Sequence, residues 1–261
     1  MNLVLTSVQN PLVKQLRKLQ RAKERREQGL FLLEGTHLLE EAIALHYPLA
    51  TVCCTESWRD RYPKLWIKVG QQAQRVELVS EPVLEAIATT VHPDGVIATA
   101  PRRPQPSIPQ PLKLGLALET IQDPGNLGTM IRTAAAVGVD GLWVSDDSVD
   151  LDHPKVLRAT AGQWFRMPMV NTAQLSADLR TLQAQGVQVV STRMNAALTY
   201  WDVDFAKPTL VVLGNEGSGL SAEASAIADV SVRIPLEPGV ESLNVAIAAA
   251  LILYEAKRQQ R

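Results

Sequence analysis

Long apolar runs, paired cysteines and clustered histidines are all scarce in this chain, and each scarcity closes a class of function. The longest apolar run near the C-terminus, VAIAAALILY (245–254), falls well short of the roughly 20 residues that cross a bilayer. The first twenty residues carry no apolar signal core, only scattered Leu and Val among Lys, Arg and Gln, so neither export nor a membrane partner is expected. Cysteine is confined to Cys53 and Cys54. Adjacent cysteines rarely satisfy disulfide geometry, which points to a reducing compartment and so to the cytoplasm. His37, His46, His92 and His153 stand apart with no H-x-x-x-H or C-x-x-C partner, so no metal site is expected.

What is present is an ordinary globular composition: 261 residues, 46% hydrophobic and 20% charged, enough for one large or two modest domains with real cores. The net charge of −1 hides an asymmetry. Within residues 1–30, Lys14, Arg17, Lys18, Arg21, Lys23, Arg25 and Arg26 face only Glu24 and Glu27, a local excess of +5. Leu12, Leu16 and Leu19 recur there at helical spacing, which predicts a helix with one buried side and a basic outer face. Such a face is either a solvated helix or an RNA-phosphate footprint, with Lys14, Arg17, Lys18, Arg21 and Arg25 as the contacts.

Five prolines in PRRPQPSIPQP (101–111) predict an extended, semi-rigid linker. Upstream, residues 1–100 mix helical stretches (GTHLLEEAIAL, EPVLEAIATT) with strand-like pieces (ATVCCT, RVELVS, GVIATA), a small α/β domain. Downstream, in 112–261, the strands LGLALE, GLWVS, VQVVS, TLVVLG and VSVRIP alternate with helical segments. That alternation predicts an α/β domain with a largely parallel sheet covered on both faces.

In such sheets ligands gather where strands give way to helices. Three of those junctions stand out. In LETIQDPGNLGTMIRTAAAVGV (118–139), a turn at Asp123-Pro124-Gly125 opens a helix with Leu127, Ile131, Ala134 and Gly138 on one arc and Asn126, Thr129, Arg132 and Thr133 on the other. In VVLGNEGSGLS (211–221), a β-branched strand enters a loop with Gly214, Gly217 and Gly219, and Ser221 is placed to cap the next helix ahead of Glu223. This is neither a dinucleotide fingerprint nor a P-loop, and Glu216 would repel phosphate; an acid in a Gly-rich loop suits a cation or a hydroxyl-rich ligand. In RIPLEPGVESLNVAIAAALILYEAKRQ (233–259), two prolines lead out of a strand, Ser242 is placed to act as N-cap, and Asn244 is placed either to cap or to point into a site.

Taken together and in this order, DPGNLGTMIRTAAAVG, LVVLGNEGSGLS and IPLEPGVESLNVAIAAALILYE resemble the three signature motifs of the SpoU (TrmH) family of RNA ribose 2′-O-methyltransferases. VLRATAGQWFRMPMV (156–170) is similar to the stretch between the first two motifs. SVQNPLVKQLRKLQRAKERREQGLFLLEGTHLLEEAI resembles the substrate-binding domain appended to members that modify ribosomal RNA. The resemblance implies a methyltransferase domain with a trefoil knot, a homodimer and S-adenosylmethionine as cofactor. It assigns the cofactor to Leu213, Gly214, Asn215, Gly217, Ile234, Leu236, Ser242, Leu243 and Asn244. It places Arg132 at the reacting hydroxyl, with Asn126, Glu216, Ser242 and Asn244 completing the polar site. Many relatives have Met where this chain has Leu236 and Ser where it has Ala246.

The residues agree with that assignment. Amides and carbonyls freed by Pro and Gly turns can bond an adenine edge and ribose hydroxyls, while Leu213, Ile234 and Leu243 supply apolar surface. A guanidinium is essentially never neutral in a protein, which favours Arg132 as a clamp on substrate phosphate over a role as base. The rival functions are a non-catalytic RNA-binding protein and a transfer-RNA methyltransferase; the separate basic N-terminal domain favours ribosomal RNA.

Overall fold

Leu16 and Leu19 are buried with Val13, but on a helix that stops after two turns. The structure is a computed structural model that describes residues 4–102 and 107–260. In it, α1 (Pro11–Lys18) and α2 (Ala22–Gln28) replace the single basic helix expected from the leucine spacing. Asn10 caps α1 through its side chain, and Gly29, at φ +63°, ends α2. Arg25 occupies the break. Its guanidinium donates to the carbonyls of Leu19 (3.2 Å) and Gln20 (3.1 Å) and to Asp152 Oδ1 (3.0 Å). With 1% of its surface exposed, Arg25 is a structural cation, which corrects its assignment to the RNA face. The carbonyls released by the helix break need donors, and burying them draws the nearest guanidinium inward.

The chain divides into two units, Met1–Pro104 with Asp152–Phe165, and Gln105–Leu151 with Arg166–Arg261. The first unit continues as β1 (Leu30–Glu34), α3 (Thr36–Ala44), β2 (Leu49–Cys54), α4 (Glu56–Arg61), α5 (Pro63–Gln72), β3 (Ala73–Leu78), α6 (Glu81–Ile87) and β4 (Val96–Pro101). Its sheet runs β1-β4-β2-β3, with β4 antiparallel to both neighbours and β2 parallel to β3. Residues 152–165 group with this unit, although the sequence suggested one boundary at the proline-rich stretch. Arg158 donates to Glu34 Oε2 at 2.7 Å, and Trp164 stacks obliquely on Phe31 with centroids 5.1 Å apart. Of the expected linker, 103–106 lie outside the described residues; Ile108 packs onto the core of the second unit.

The second unit comprises β5 (Leu114–Leu118), α7 (Pro124–Val137), β6 (Gly141–Ser145), β7 (Met169–Thr172), α9 (Leu175–Ala184), β8 (Gln188–Thr192), β9 (Leu198–Thr199), β10 (Thr209–Leu213), α10 (Ala222–Ile227), β11 (Val230–Arg233) and α11 (Val245–Gln259); α8 (Pro154–Ala159) belongs to the first. All seven strands are parallel, in the order β7-β6-β5-β10-β8-β11-β9. The unbroken apolar strands of the sequence, β5, β6 and β10, are buried throughout, as a sheet covered on both faces requires. The two strands of this unit not anticipated are both edges: four-residue β7, exposed at Val170 and Asn171, and two-residue β9. The register sets Leu213 beside Leu118, and β8 is bonded between β10 and β11, so the strands release their chains along one edge. No described helix is long and apolar enough to cross a membrane.

Candidate active site

The glycine loop after β10 closes on itself. Asn215 and Gly219 exchange both backbone hydrogen bonds at 3.0 Å, and Asn215 Oδ1 accepts from the Gly217 and Ser218 amides at 2.9 and 3.0 Å. The Asn215 side-chain amide donates to Thr120 O (2.9 Å), and Glu119 holds the far end by accepting from Ser221 N (2.7 Å) and Oγ (2.8 Å). Ser221 caps α10 as anticipated, with Glu223 in the first turn. The three glycines serve different purposes. Only Gly219, at φ +71°, uses left-handed backbone. Gly214 is needed for space: a Cβ there would lie 2.3 Å from the carbonyl carbon and oxygen of Gly219, and at Gly217 it would meet only Asn215 Oδ1, at 3.5 Å.

The loop's Glu216 meets residues far away in sequence. Asn126, in the first turn of α7 behind its Asp123 cap, donates from Nδ2 to Glu216 Oε1 at 2.8 Å. Asn244 donates from Nδ2 to Asn126 Oδ1 at 2.9 Å. One polar chain thus joins all three motifs. Asn244, not Ser242, is the N-cap of α11: its Oδ1 accepts from Ala246 N at 2.9 Å and Ile247 N at 3.4 Å. It therefore caps and reaches the site at once, because an amide has an oxygen for the helix and a nitrogen to spare. Ser242 lies outside the helix, exposed, with no side-chain partner among the described residues. Arg132 lies on the polar side of α7, also exposed and without a hydrogen bond or ion pair among the described residues. Its charge is available to an incoming group.

The cofactor residues taken from the resemblance flank this chain. Leu213 and Gly214 are buried at the end of β10, Ile234 is half-buried just past β11, and Leu236 and Leu243 are exposed. Between Pro235 and Leu243 the described residues make one internal backbone hydrogen bond, Val240 N to Glu237 O at 3.1 Å. The other amides and carbonyls of this stretch are open to a ligand, and with the neighbouring leucines they fit the edges and faces of an adenosyl group. Reading the motifs missed the end of β8. Bonded between β10 and β11, it delivers Arg193–Ala196 between the two cofactor loops, with Arg193 N held by Val232 O at 2.9 Å. No sequence pattern marks this segment; only the strand order places it there.

In the first unit Lys14, Arg17, Lys18 and Arg21 are exposed, so four of the five expected phosphate contacts face solvent. Converting Arg17 and Arg21 to Glu is expected to weaken RNA binding and to flatten the dependence of log Kd on log salt by roughly two phosphate contacts. Cofactor affinity should not change, which calorimetry on the same variant checks. Arg25 is left intact in this test. Its removal would leave Asp152 paired with Arg102 alone and the Leu19 and Gln20 carbonyls without their donor, destabilising the unit by about 2 kcal/mol.

The second unit is thus an α/β domain with a seven-stranded parallel sheet whose strand ends gather an Asn244–Asn126–Glu216 chain, near an Arg132 that has no hydrogen bond or ion pair among the described residues. The chain belongs to the SpoU rRNA methylase family, whose model matches residues 113–254, and residues 10–98 match the MRM3-like substrate binding domain. It is 48% identical to an uncharacterized tRNA/rRNA methyltransferase of Synechocystis sp., over 98% of this chain and 94% of that protein. It is 33% identical to the 23S rRNA (guanosine(2553)-2′-O)-methyltransferase RlmP of Bacillus subtilis, over 97% of this chain and 98% of that one. Among solved structures, the AdoMet-bound rRNA methyltransferase from Sinorhizobium meliloti superposes with a TM-score of 0.85 at 33% identity, covering 98% of this chain and 97% of that one.

Proposed function

We propose that this chain transfers the methyl group of S-adenosylmethionine to a ribose 2′-hydroxyl of ribosomal RNA, in the cytoplasm and as a homodimer whose parallel-sheet unit is threaded as a trefoil knot. The observation that carries the reading is the Asn244–Asn126–Glu216 chain, in which side chains from the three motifs meet at hydrogen-bond distance. When bound, the cofactor supplies a methyl group activated on a sulfonium. The protein's part is positioning: residues 213–217 and 234–244 hold the adenosyl group, and the polar chain fixes the loop that carries Glu216. Arg132, exposed and unpaired among the described residues, clamps the RNA phosphate next to the target ribose and lowers the cost of developing negative charge on the 2′-oxygen.

Ribosomal RNA is favoured over transfer RNA by the basic first unit with its substrate-binding match, and by the 23S activity in the name of the Bacillus subtilis relative. The dimer is supported by an exposed apolar row, Ile247, Leu251 and Tyr254, along α11, continuing Val240 and Leu243 of the cofactor loop. The purified chain should move labelled methyl groups from S-adenosylmethionine into unmodified 23S rRNA transcripts, recovered after digestion as a 2′-O-methylnucleoside, and should sediment as a dimer. Label confined to transfer RNA, or RNA binding without any transfer, would overturn the reading; a monomer at micromolar concentration would overturn the assembly.

A further inference from the structure

A cavity of about 760 Å³ opens at the C-terminal ends of β5, β6 and β7. Ser218–Ser221 of the glycine loop line it, and the same loop sends Glu216 to Asn126, so cavity and polar chain share one wall. Most polar groups around it are already engaged. Glu119 holds Ser221, Asp147 accepts from the hydroxyls of Ser145 and Thr120, and Glu223 lies 3.3 Å from Arg180. The Ser176 hydroxyl has no partner among the described residues, and neither do the Asp146 carboxylate and the Gln174 side-chain amide. Asp146 and Gln174 are both anchored through the backbone on Thr172, Asp146 N donating to its carbonyl (2.9 Å) and Gln174 N to its hydroxyl (3.0 Å).

The cavity therefore presents a free carboxylate and a free amide on either side of one residue, with Leu175 and Leu220 as apolar surface. No cationic side chain among the described residues lines it, which disfavours phosphate. Among the described residues no group of three or more His, Cys, Asp or Glu could hold a metal ion. The free carboxylate beside the free amide suits a ligand that carries adjacent N–H donors and a neighbouring acceptor. Of the RNA bases only guanine offers an imino and an amino donor side by side on its Watson–Crick edge, with a carbonyl acceptor next to them. The volume lies within the range of pockets that take a ligand of this size.

We propose that this cavity receives the guanine base of the nucleotide that is methylated, N1–H and N2–H2 donating to Asp146 and O6 accepting from the Gln174 amide. The inference rests on the reading of the chain as an RNA ribose methyltransferase and adds the base that it selects. The test uses the full chain, S-adenosylmethionine and unmodified 23S rRNA transcripts. The released nucleoside should be 2′-O-methylguanosine. Asp146→Asn should lower kcat/KM roughly ten- to a hundred-fold, the cost of losing a bidentate base contact, with cofactor affinity and melting temperature unchanged. Gln174→Ala should act in the same direction. Replacing the target guanosine by inosine, which lacks the 2-amino group, should penalise the wild type and add little in Asp146→Asn, since both remove one contact. A different methylated nucleoside, wild-type kcat/KM in Asp146→Asn, or an inosine penalty of equal size in both proteins would overturn the base assignment alone. No transfer to any RNA by the wild type would overturn the enzymatic reading and this one with it.

Discussion

Arg132→Ala is expected to lower the methyl-transfer rate on the order of 10²- to 10³-fold, as removal of a charge-stabilising donor does elsewhere, while cofactor affinity stays at the wild-type value. The expectation follows from placement. Arg132 shares the polar side of α7 with Asn126, is exposed, and makes no hydrogen bond or ion pair among the described residues, so its loss leaves no buried group stranded and the fold intact. Arg132→Lys separates two roles. A phosphate clamp keeps its charge as lysine but loses the planar fork, so measurable activity should remain with an unchanged pH profile. A base would behave otherwise: lysine, whose pKa is easier to depress, would move the pH–rate profile toward its own lower value. Rates for the three proteins across pH decide, and an Ala variant that turns over like the wild type would remove Arg132 from the reaction.

Gly214→Ala should abolish detectable S-adenosylmethionine binding while the remaining fold persists. The added Cβ would lie 2.3 Å from the backbone of Gly219 and 2.5 Å from Leu220 N, and backbone atoms of a closed loop cannot swing aside as a side-chain end would. The Asn215–Gly219 pairing must therefore open, carrying Glu216 away from Asn126. Gly217→Ala is the contrasting case. It meets a single atom at 3.5 Å and has no positive φ, so near-wild-type affinity is expected. Calorimetry on both variants, with circular dichroism to confirm folding, checks the pair. Full cofactor affinity in a folded Gly214→Ala protein would show that the cofactor does not depend on this loop.

The basic helix shows how far a local pattern reaches. The leucine spacing at 12, 16 and 19 located a buried side and an exposed basic one, because periodicity reports which face a neighbour covers. It did not report that the helix breaks after Lys18, nor that Arg25 turns inward, since the guanidinium that serves the break is held by Asp152 from a segment more than a hundred residues on. Ser242 and Asn244 differ for a similar reason. Either side chain can cap a helix, and the choice follows from where Asn126 waits to accept the second hydrogen bond.

By itself the sequence determined the two α/β units' strands and helices where apolar periodicity was strong, the cap at Ser221, and three motifs carrying Asn126, Glu216 and Asn244. Propensity, patterning and capping act over a few residues, so they are written locally. Only the tertiary structure decided that β8 lies between β10 and β11, that residues 152–165 group with the first unit, and that Asp146 and Gln174 line one cavity without side-chain partners among the described residues. Those outcomes depend on which distant segments pack together, and one strand order brings motifs 118 residues apart, at Asn126 and Asn244, to a separation of 2.9 Å.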